Sequence, residues 1–309
     1  RAFQNHTHNE TVMTAEIAIL NQHAAALAAD SAVTIGSNTA PKIYPSANKL
    51  FTLSKYAPVG VMVYSNAAFM GVPWEIIIKT YRARLGRQTF PTLQGYADDL
   101  LRFIETSDML VPQDQERRHI HERIHRFFAM IHEHVRRTVE NGDRSPSEVL
   151  EDAVSTLLRD WGGAPVFTGH DGTPLDSDSI SLVGEWSEEV FNQVRKPWFP
   201  EIEATSPVAR NLVTLGQMSI VRLADTSIFA STGPVVAGYG EGELFPSVIT
   251  NRLDFRLNGH LKHERQENKS KTINFERRAA IIPFAQSDMV ATFIEGADPE
   301  YQRVVDTQV

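Results

Sequence analysis

Three residues in the first part of the sequence have the types needed for nucleophilic chemistry: Thr14, Asp30 and Lys49. Thr14 opens an apolar run that reads as a strand, Asp30 closes the next such run sixteen positions later, and Lys49 starts a third. A threonine hydroxyl is a weak nucleophile that needs a base, which can be the chain's own α-amine when threonine is the first residue. A neighbouring lysine lowers the proton affinity of both groups, and an aspartate can orient that lysine. These three residue types, in this order at the ends of consecutive predicted strands, are the parts that an N-terminal threonine nucleophile requires.

Strands are predicted to position these residues. Apolar residues alternate in two early runs, which indicates adjacent strands with small residues that allow close packing against another layer: Ile17, Ile19, Ala26 and Ala28. Residues 59–64 are apolar at nearly every position, which is typical of a strand buried on both faces. Residues 74–81 then show apolar positions at helical spacing, and Pro73 stands near the predicted first turn.

The middle of the sequence is predicted to be helical. Amphipathic spacing indicates helices within 92–160, and Ser145-Pro146-Ser147-Glu148 is typical of a helix start. A further helix is predicted over about 206–223. Residues 162–180 are rich in Gly, Asp, Ser, Thr and Pro, which predicts a loop.

Strands return in the last third of the sequence. They are predicted over 229–239, with Gly233-Pro234 as a candidate interruption, and over 248–257 and 279–284. Asn258-Gly259 predicts a tight hairpin turn, and residues 289–309 are predicted to be helical. Because strands and helices come in blocks instead of alternating singly, the order favours an α+β fold.

Several of these segments resemble the proteasome-type β subunits of the N-terminal nucleophile hydrolase superfamily. The resemblance covers roughly 14–80 and 228–300 and suggests a divergent bacterial-type member. The similar segments are Leu27-Ala28-Ala29-Asp30-Ser31, Lys49-Leu50-Phe51-Thr52-Leu53, Gly60-Val61-Met62-Val63, Trp74-Glu75, Ser231 to Gly240 with Pro246, Leu257-Asn258-Gly259, and Pro283-Phe284-Ala285-Gln286-Ser287.

The resemblance implies a four-layer αββα sandwich and a hydrolase that cleaves peptide or other amide bonds. It further implies one domain over 14–309 with an enlarged helical insertion at about 92–225, preceded by a leader or propeptide-like segment at 1–13. By matching position, the implied site residues are Thr14 as nucleophile, Asp30 and Lys49 as its charge partners, Tyr64 and Ser65 as backbone near the oxyanion, and Ser287 as the serine that supports the amine.

Two other functions stay open. Relatives that have lost activity keep the same fold, so the chain could be a catalytically inactive scaffold or a precursor. The pattern His121-Glu122-Arg123-Ile124-His125 would place two histidines one helical turn apart, with Glu122 able to polarise a water, as in zinc peptidases. A third ligand is not evident, and apolar residues at helical spacing already account for this segment as a packed amphipathic helix.

The composition and net charge of the chain limit the kinds of binding partner and cofactor that we expect. The 309-residue chain has a net charge of -8 and a pI near 5.8, which gives no electrostatic reason to expect nucleic acid. It contains no cysteine, which excludes disulfides and thiolate metal sites and fits a cytoplasmic location. No apolar run approaches the length of a membrane span. We expect no cofactor, a peptide or protein substrate, and assembly into a homo-oligomer.

Overall fold

The fold is mixed α+β, as predicted. A computed structural model describes residues 16–30, 33–35, 42–44, 48–223 and 231–284, with the single positions 292 and 296. Thr14, Ser287 and nearly all of the predicted helix at 289–309 lie outside these residues. The chain divides into two compact units, one within 1–110, 230–255 and 263–309 and the other within 111–229 and 256–262.

Two sheets form the framework of the first unit. The small sheet contains, in order, β13 (Ala279–Pro283), β1 (Glu16–Asn21) and β2 (Ala25–Ala29). The large sheet contains, in order, β11 (His260–Arg265), β10 (Ser247–Leu257), β9 (Thr232–Gly238), β6 (Val59–Ser65) and β5 (Leu50–Thr52), with β12 (Lys271–Thr272) paired to β10. Two short hairpins join β3 (Val33–Ile35) to β4 (Lys42–Tyr44) and β7 (Ala68–Phe69) to β8 (Val72–Pro73).

The small and large sheets pack face to face around an apolar core. Ala18 and Leu20 of β1 and Met62 of β6 are essentially inaccessible to solvent. Because successive side chains of a strand point to opposite faces, Ile17 and Ile19 lie on the other side of β1, where Ile19 is 44% exposed. The inward row of β1 is therefore the one that holds Ala18 and Leu20.

Helices cover the opposite face of the large sheet. The predicted helix after Pro73 is α1 (Trp74–Leu85), and α2 (Leu93–Thr106) packs against β9. Arg82 of α1 donates to the Thr52 carbonyl on β5 at 3.3 Å. The Tyr81 hydroxyl donates to Asp99 Oδ2 at 3.1 Å, which joins α1 to α2 inside the protein. The described part of this unit thus contains one helical layer and two sheets.

The second unit is helical. Its helices in the described residues are α3 (Gln113–Glu140), α4 (Pro146–Gly162), α5 (Ser177–Trp198) and α6 (Pro207–Val221). The predicted start of α4 is confirmed, since Ser145 and Glu148 form a reciprocal capping box. The sequence prediction missed α5, whose first turn lies inside the predicted loop and is capped by Asp176. No described helix combines the length and apolar character needed to span a bilayer.

The predicted hairpin turn after β10 is confirmed and is fixed within the second unit. Asn258 and Gly259 have φ of 46° and 74°, the left-handed values that a two-residue hairpin turn requires. The side-chain Nδ2 of Asn258 donates to Ser179 Oγ at 2.8 Å. Just before the turn, buried Arg256 donates from Nε to Glu116 Oε2 at 3.0 Å. Side chains of α3 and α5 thereby hold the tip of the hairpin.

Gly233-Pro234 does not interrupt β9. Pro234 stands opposite Val63 and Gly233 stands opposite Tyr64 in the pairing of β9 with β6. A Cβ atom on Gly233 would lie 1.8 Å from the Asn251 carbonyl oxygen and 2.9 Å from Tyr64 Cε1. Only glycine leaves room for the close approach of these groups, which explains why the strand continues through this position.

We predict that Gly233→Ala destabilises the protein by about 1–3 kcal/mol or more, because the methyl group must displace backbone of β10. Gly162→Ala is the matched control, since nothing lies within 4 Å of a Cβ at that position at the end of α4. The control should change stability by less than about 1 kcal/mol, in the stabilising direction. Urea unfolding of both variants checks this, and equal effects would contradict the proposed close approach.

Candidate active site

The predicted site residues that the structure describes lie at one end of the two-sheet sandwich. Ala29 stands opposite Glu16 in the small sheet, so Asp30 directly follows the partner of the first residue of β1. In the large sheet, the Lys49 carbonyl accepts from the Val63 amide at 2.9 Å. Val63 is two residues before Ser65, a distance of roughly 7 Å along a strand. The start of β1, the end of β2, the start of β5 and the end of β6 therefore meet here.

A buried ion pair links the two sheets at this end. Lys49 Nζ donates to Glu16 Oε1 at 2.6 Å, and the side chains of Lys49 and Glu16 are only 3% and 0% exposed. Glu16 occupies the same inward row of β1 as Ala18 and Leu20. Its Oε2 is also buried and has no hydrogen-bond partner among the described residues. A carboxylate in this position is stabilised chiefly by the ammonium group of Lys49.

A second lysine lies close to the buried pair. Lys269 Nζ donates to the Phe284 carbonyl at 3.0 Å and lies 5.7 Å and 5.6 Å from the ring centroids of Tyr64 and Phe284. The Phe284 amide in turn donates to the Glu16 carbonyl at 2.9 Å. Burial lowers the pKa of Lys269, and the negative charge of Glu16 acts in the opposite direction. Glu16 therefore lies in the field of two lysines, one of which it contacts.

Tyr64 packs beside Phe284 and Lys269 on the core side of the ion pair. Its ring lies 5.8 Å from that of Phe284, centroid to centroid, and its hydroxyl donates to the Asn251 carbonyl at 3.4 Å. Burial raises the pKa of Tyr64 to about 12. The phenol therefore stays protonated at neutral pH, as its role as a donor to Asn251 requires.

The turn after β6 is held in an unusual backbone conformation. Ser65 is exposed and has φ of 65°, which a residue other than glycine rarely adopts. The Thr232 hydroxyl donates to the Asn66 carbonyl at 2.6 Å and accepts from Trp74 Nε1 at 2.8 Å. Thr232 is itself paired with Ser65 across β9 and β6. Side-chain contacts from β9 and α1 therefore fix the backbone around Ser65.

The anion that contacts Lys49 in the structure is a residue that the sequence prediction missed. In the structure Lys49 contacts Glu16, a residue that the prediction did not name as part of the site. Asp30 is exposed at the end of β2. The alternation of side chains along β1 could have pointed to Glu16. It lies on the same inward face as Ala18 and Leu20, and a charged residue on a buried face requires a partner. Thr14 precedes Glu16 by two positions in the sequence and lies outside the described residues.

The chain has no significant match among protein-family models, curated proteins or solved structures. The functional conclusion therefore depends on three features of the site. These are a buried ion pair at the start of β1, a left-handed serine at the end of β6, and a partly buried lysine between two aromatic rings.

A cavity of about 590 Å³ extends from Leu50, the residue after Lys49, along β5 and toward the start of β6. It is bounded by the starts of β2 and β6 and the end of β9, and its lining includes Leu27, Leu50, Val59 and Tyr239. The lining is mostly apolar side chain and backbone and contains none of the predicted site residues. Glu16 and Lys49 are not part of this lining.

The zinc-peptidase pattern lies on α3 in the second unit. The His121 ring lies 5.5 Å from Trp186, and the His125 ring lies 4.8 Å from Trp198, both measured between centroids. Glu122 is 65% exposed and lies 4.0 Å from Arg126. Burial lowers the pKa of His121, with Glu189 acting against this effect. The described residues contain no group of three or more His, Asp or Glu side chains able to hold a metal. The two histidines thus pack against different tryptophans of α5.

We predict that Thr232→Val lowers the free energy of unfolding by about 1–3 kcal/mol, because it leaves the buried indole N–H of Trp74 without its acceptor. Thr232→Ser keeps the hydroxyl and removes one methyl group, which should cost about 1 kcal/mol or less. Chemical denaturation of both variants measures the difference. Equal losses for valine and serine would show that the hydroxyl does not hold this turn.

A pH-dependent loss of stability is predicted for His119 of α3. Burial, aided by the charges of Arg123 and Arg126, lowers the pKa of His119 to about 4. An unfolded histidine binds a proton near pH 6.5, so the unfolded state gains protons first as the pH falls from about 6.5 to 4. Stability that is present above pH 6.5 should therefore decline across this window, by up to about 3 kcal/mol.

The measurement compares urea unfolding of the wild type with His119→Leu over the same pH range. The variant should lose stability less steeply than the wild type as the pH falls. His23→Leu, which replaces an exposed histidine, should retain the wild-type slope. Parallel slopes for His119→Leu and the wild type would contradict the prediction.

Proposed function

We propose that this protein is a threonine hydrolase of the N-terminal nucleophile type, which cleaves peptide or other amide bonds with Thr14 as its nucleophile. The observation that carries the proposal is the ion pair of Glu16 and Lys49, buried two residues after Thr14 in the sequence. A buried ammonium group beside a hydroxyl and an amine favours loss of protons from both. The left-handed turn at Ser65 supports the proposal, because strained backbone of this kind clusters at functional sites.

The proposed reaction begins once Thr14 is the first residue of the chain. Its α-amine accepts the hydroxyl proton while Oγ bonds to the acyl carbon of the substrate. The proton then passes to the leaving amine as the C–N bond breaks, which leaves an ester on Thr14. Water attacks the ester and gives its proton to the α-amine. The bond between the acyl carbon and Oγ then breaks, Oγ takes this proton from the α-amine, and the acid product leaves free Thr14 behind.

The other residues of the site have supporting roles in this proposal. Lys49 supplies fixed positive charge, and backbone N–H groups at the Tyr64–Ser65 turn stabilise the oxyanion. Asp30, at the end of the strand that pairs with β1, and Ser287 complete the set that the resemblance implies. We propose for the same reason that the fold is the four-layer αββα sandwich. The helices α1 and α2 and the two packed sheets support this proposal. A peptide or protein substrate, self-assembly and a cytoplasmic location are proposed on the same basis.

Mass spectrometry of the purified full chain tests the proposal. We expect a species that begins at Thr14 and reacts covalently at Thr14 with an electrophilic β-lactone probe. Thr14→Ala should abolish this adduct because it removes the attacking oxygen, whereas Thr14→Ser should keep it. Thr106→Ala, an exposed threonine at the end of α2, is the control and should react as the wild type does.

Two results would overturn the proposal. One is an adduct that persists at the wild-type rate in Thr14→Ala. The other is a chain that begins at Thr14 and does not react, which would favour the inactive scaffold. A chain that retains the residues before Thr14 and does not react would indicate the precursor or scaffold.

A further inference from the structure

The position of Glu16 in the fold is unfavourable for a charged residue. Inward-facing positions of β1 otherwise hold Ala18 and Leu20, which pack in the apolar core between the sheets. Removing an ionised carboxylate from water is costly unless a counter-charge and hydrogen bonds replace the water. An apolar residue at this position could extend the core. The presence of a carboxylate therefore requires an explanation beyond packing.

The location of the Glu16 carboxylate is fixed by backbone on both sides. β1 is the central strand of the small sheet, with Glu16 opposite Ala29 of β2 and its carbonyl bonded to the Phe284 amide after β13. The carboxylate consequently has little freedom to move away from Lys49. Because Oε2 lacks a hydrogen-bond donor among the residues described, the bond from Lys49 to Oε1 is the main interaction that stabilises the charge.

Lys49 depends on Glu16 in the same way as Glu16 depends on Lys49. Lys49 is also buried, and placing its ammonium group there without a carboxylate in contact would carry a large desolvation cost. The positive charge that the proposed reaction requires near Thr14 is thus maintained by Glu16. Lys269, held between the rings of Tyr64 and Phe284, adds positive potential nearby but does not replace this contact.

We infer that Glu16 is the positioning residue for Lys49 in the proposed reaction, a role that the resemblance assigns to Asp30. This inference rests on the proposed function. Glu16 does not touch the substrate in this scheme. It holds the Lys49 ammonium group charged and fixed at the start of β1, and the charge of Lys49 then promotes ionisation of the nucleophile.

The test measures the rate of β-lactone labelling of the full chain as a function of pH. Glu16→Gln keeps the shape of the side chain and removes its charge. We expect the acid limb of the profile to move to higher pH by roughly one unit, with labelling at neutral pH about tenfold slower. Glu16→Asp, which keeps the charge, should restore part of the shift. Glu241→Gln, at an exposed position, should leave the profile unchanged.

Asp30→Asn separates the two assignments. If Glu16 is the positioning residue, Asp30→Asn should move the acid limb less than Glu16→Gln does. A shift equal to or greater than that of Glu16→Gln would overturn the inference, and so would a Glu16→Gln profile that coincides with the wild type. Both of these results leave the proposed function intact, provided that labelling is lost in Thr14→Ala. Labelling that does not depend on Thr14 would instead refute the proposed function and this inference with it.

A double variant covers the case in which Glu16→Gln fails to fold. Glu16→Leu combined with Lys49→Met replaces the ion pair by apolar side chains of similar volume, a change that other proteins often tolerate or gain stability from. We expect a folded protein with a melting temperature at or above that of the wild type, and labelling at least tenfold slower across the neutral range. A folded double variant that labels at the wild-type rate would overturn the inference.

Discussion

The burial of the salt bridge between Glu16 and Lys49 is the constraint that the surrounding part of the first unit has to satisfy. The salt bridge joins the central strand of the small sheet to the start of an edge strand of the large sheet, in a place where water cannot solvate either charge. Two charges buried in this way are tolerated only if their geometry is kept. The apolar contacts around Ala18 and Met62 bring the sheets together without direction, whereas the ion pair is a directional contact between β1 and the start of β5.

Other contacts around the site also join residues that are distant in sequence. Thr232 fixes the turn that follows β6, although 166 positions separate it from Asn66. Lys269 ties the end of β13 to the ring of Tyr64. The ends of β6 and β13 near the site are thus each held by a side chain from another part of the fold. The result is a rigid frame around an exposed serine in a strained conformation, which is the condition under which such strain persists.

The sequence predicted those features that are set by neighbouring residues. The strand over 59–64, the capping box at Ser145 and the hairpin turn at Asn258 follow from side-chain alternation and local hydrogen bonding, and the structure confirms them. It did not predict α5, because a loop-like composition hides the start of this helix at Ser177. It did not predict the ion pair of Glu16 with Lys49 either, because the two residues are 33 positions apart and no periodicity encodes that contact.

The long helical segment between two neighbouring strands of the large sheet has a consequence for the order in which the protein can be assembled. β6 pairs with β9, so that Tyr64 stands opposite Gly233, and the four described helices of the second unit are encoded between them. During synthesis, β6 must therefore wait with one edge unpaired until the helical unit has been translated. β1 waits longer still, because its partner β13 is among the last strands described. The nascent chain thus carries open strand edges for most of its synthesis, the state in which such edges are most prone to pair with the wrong chain.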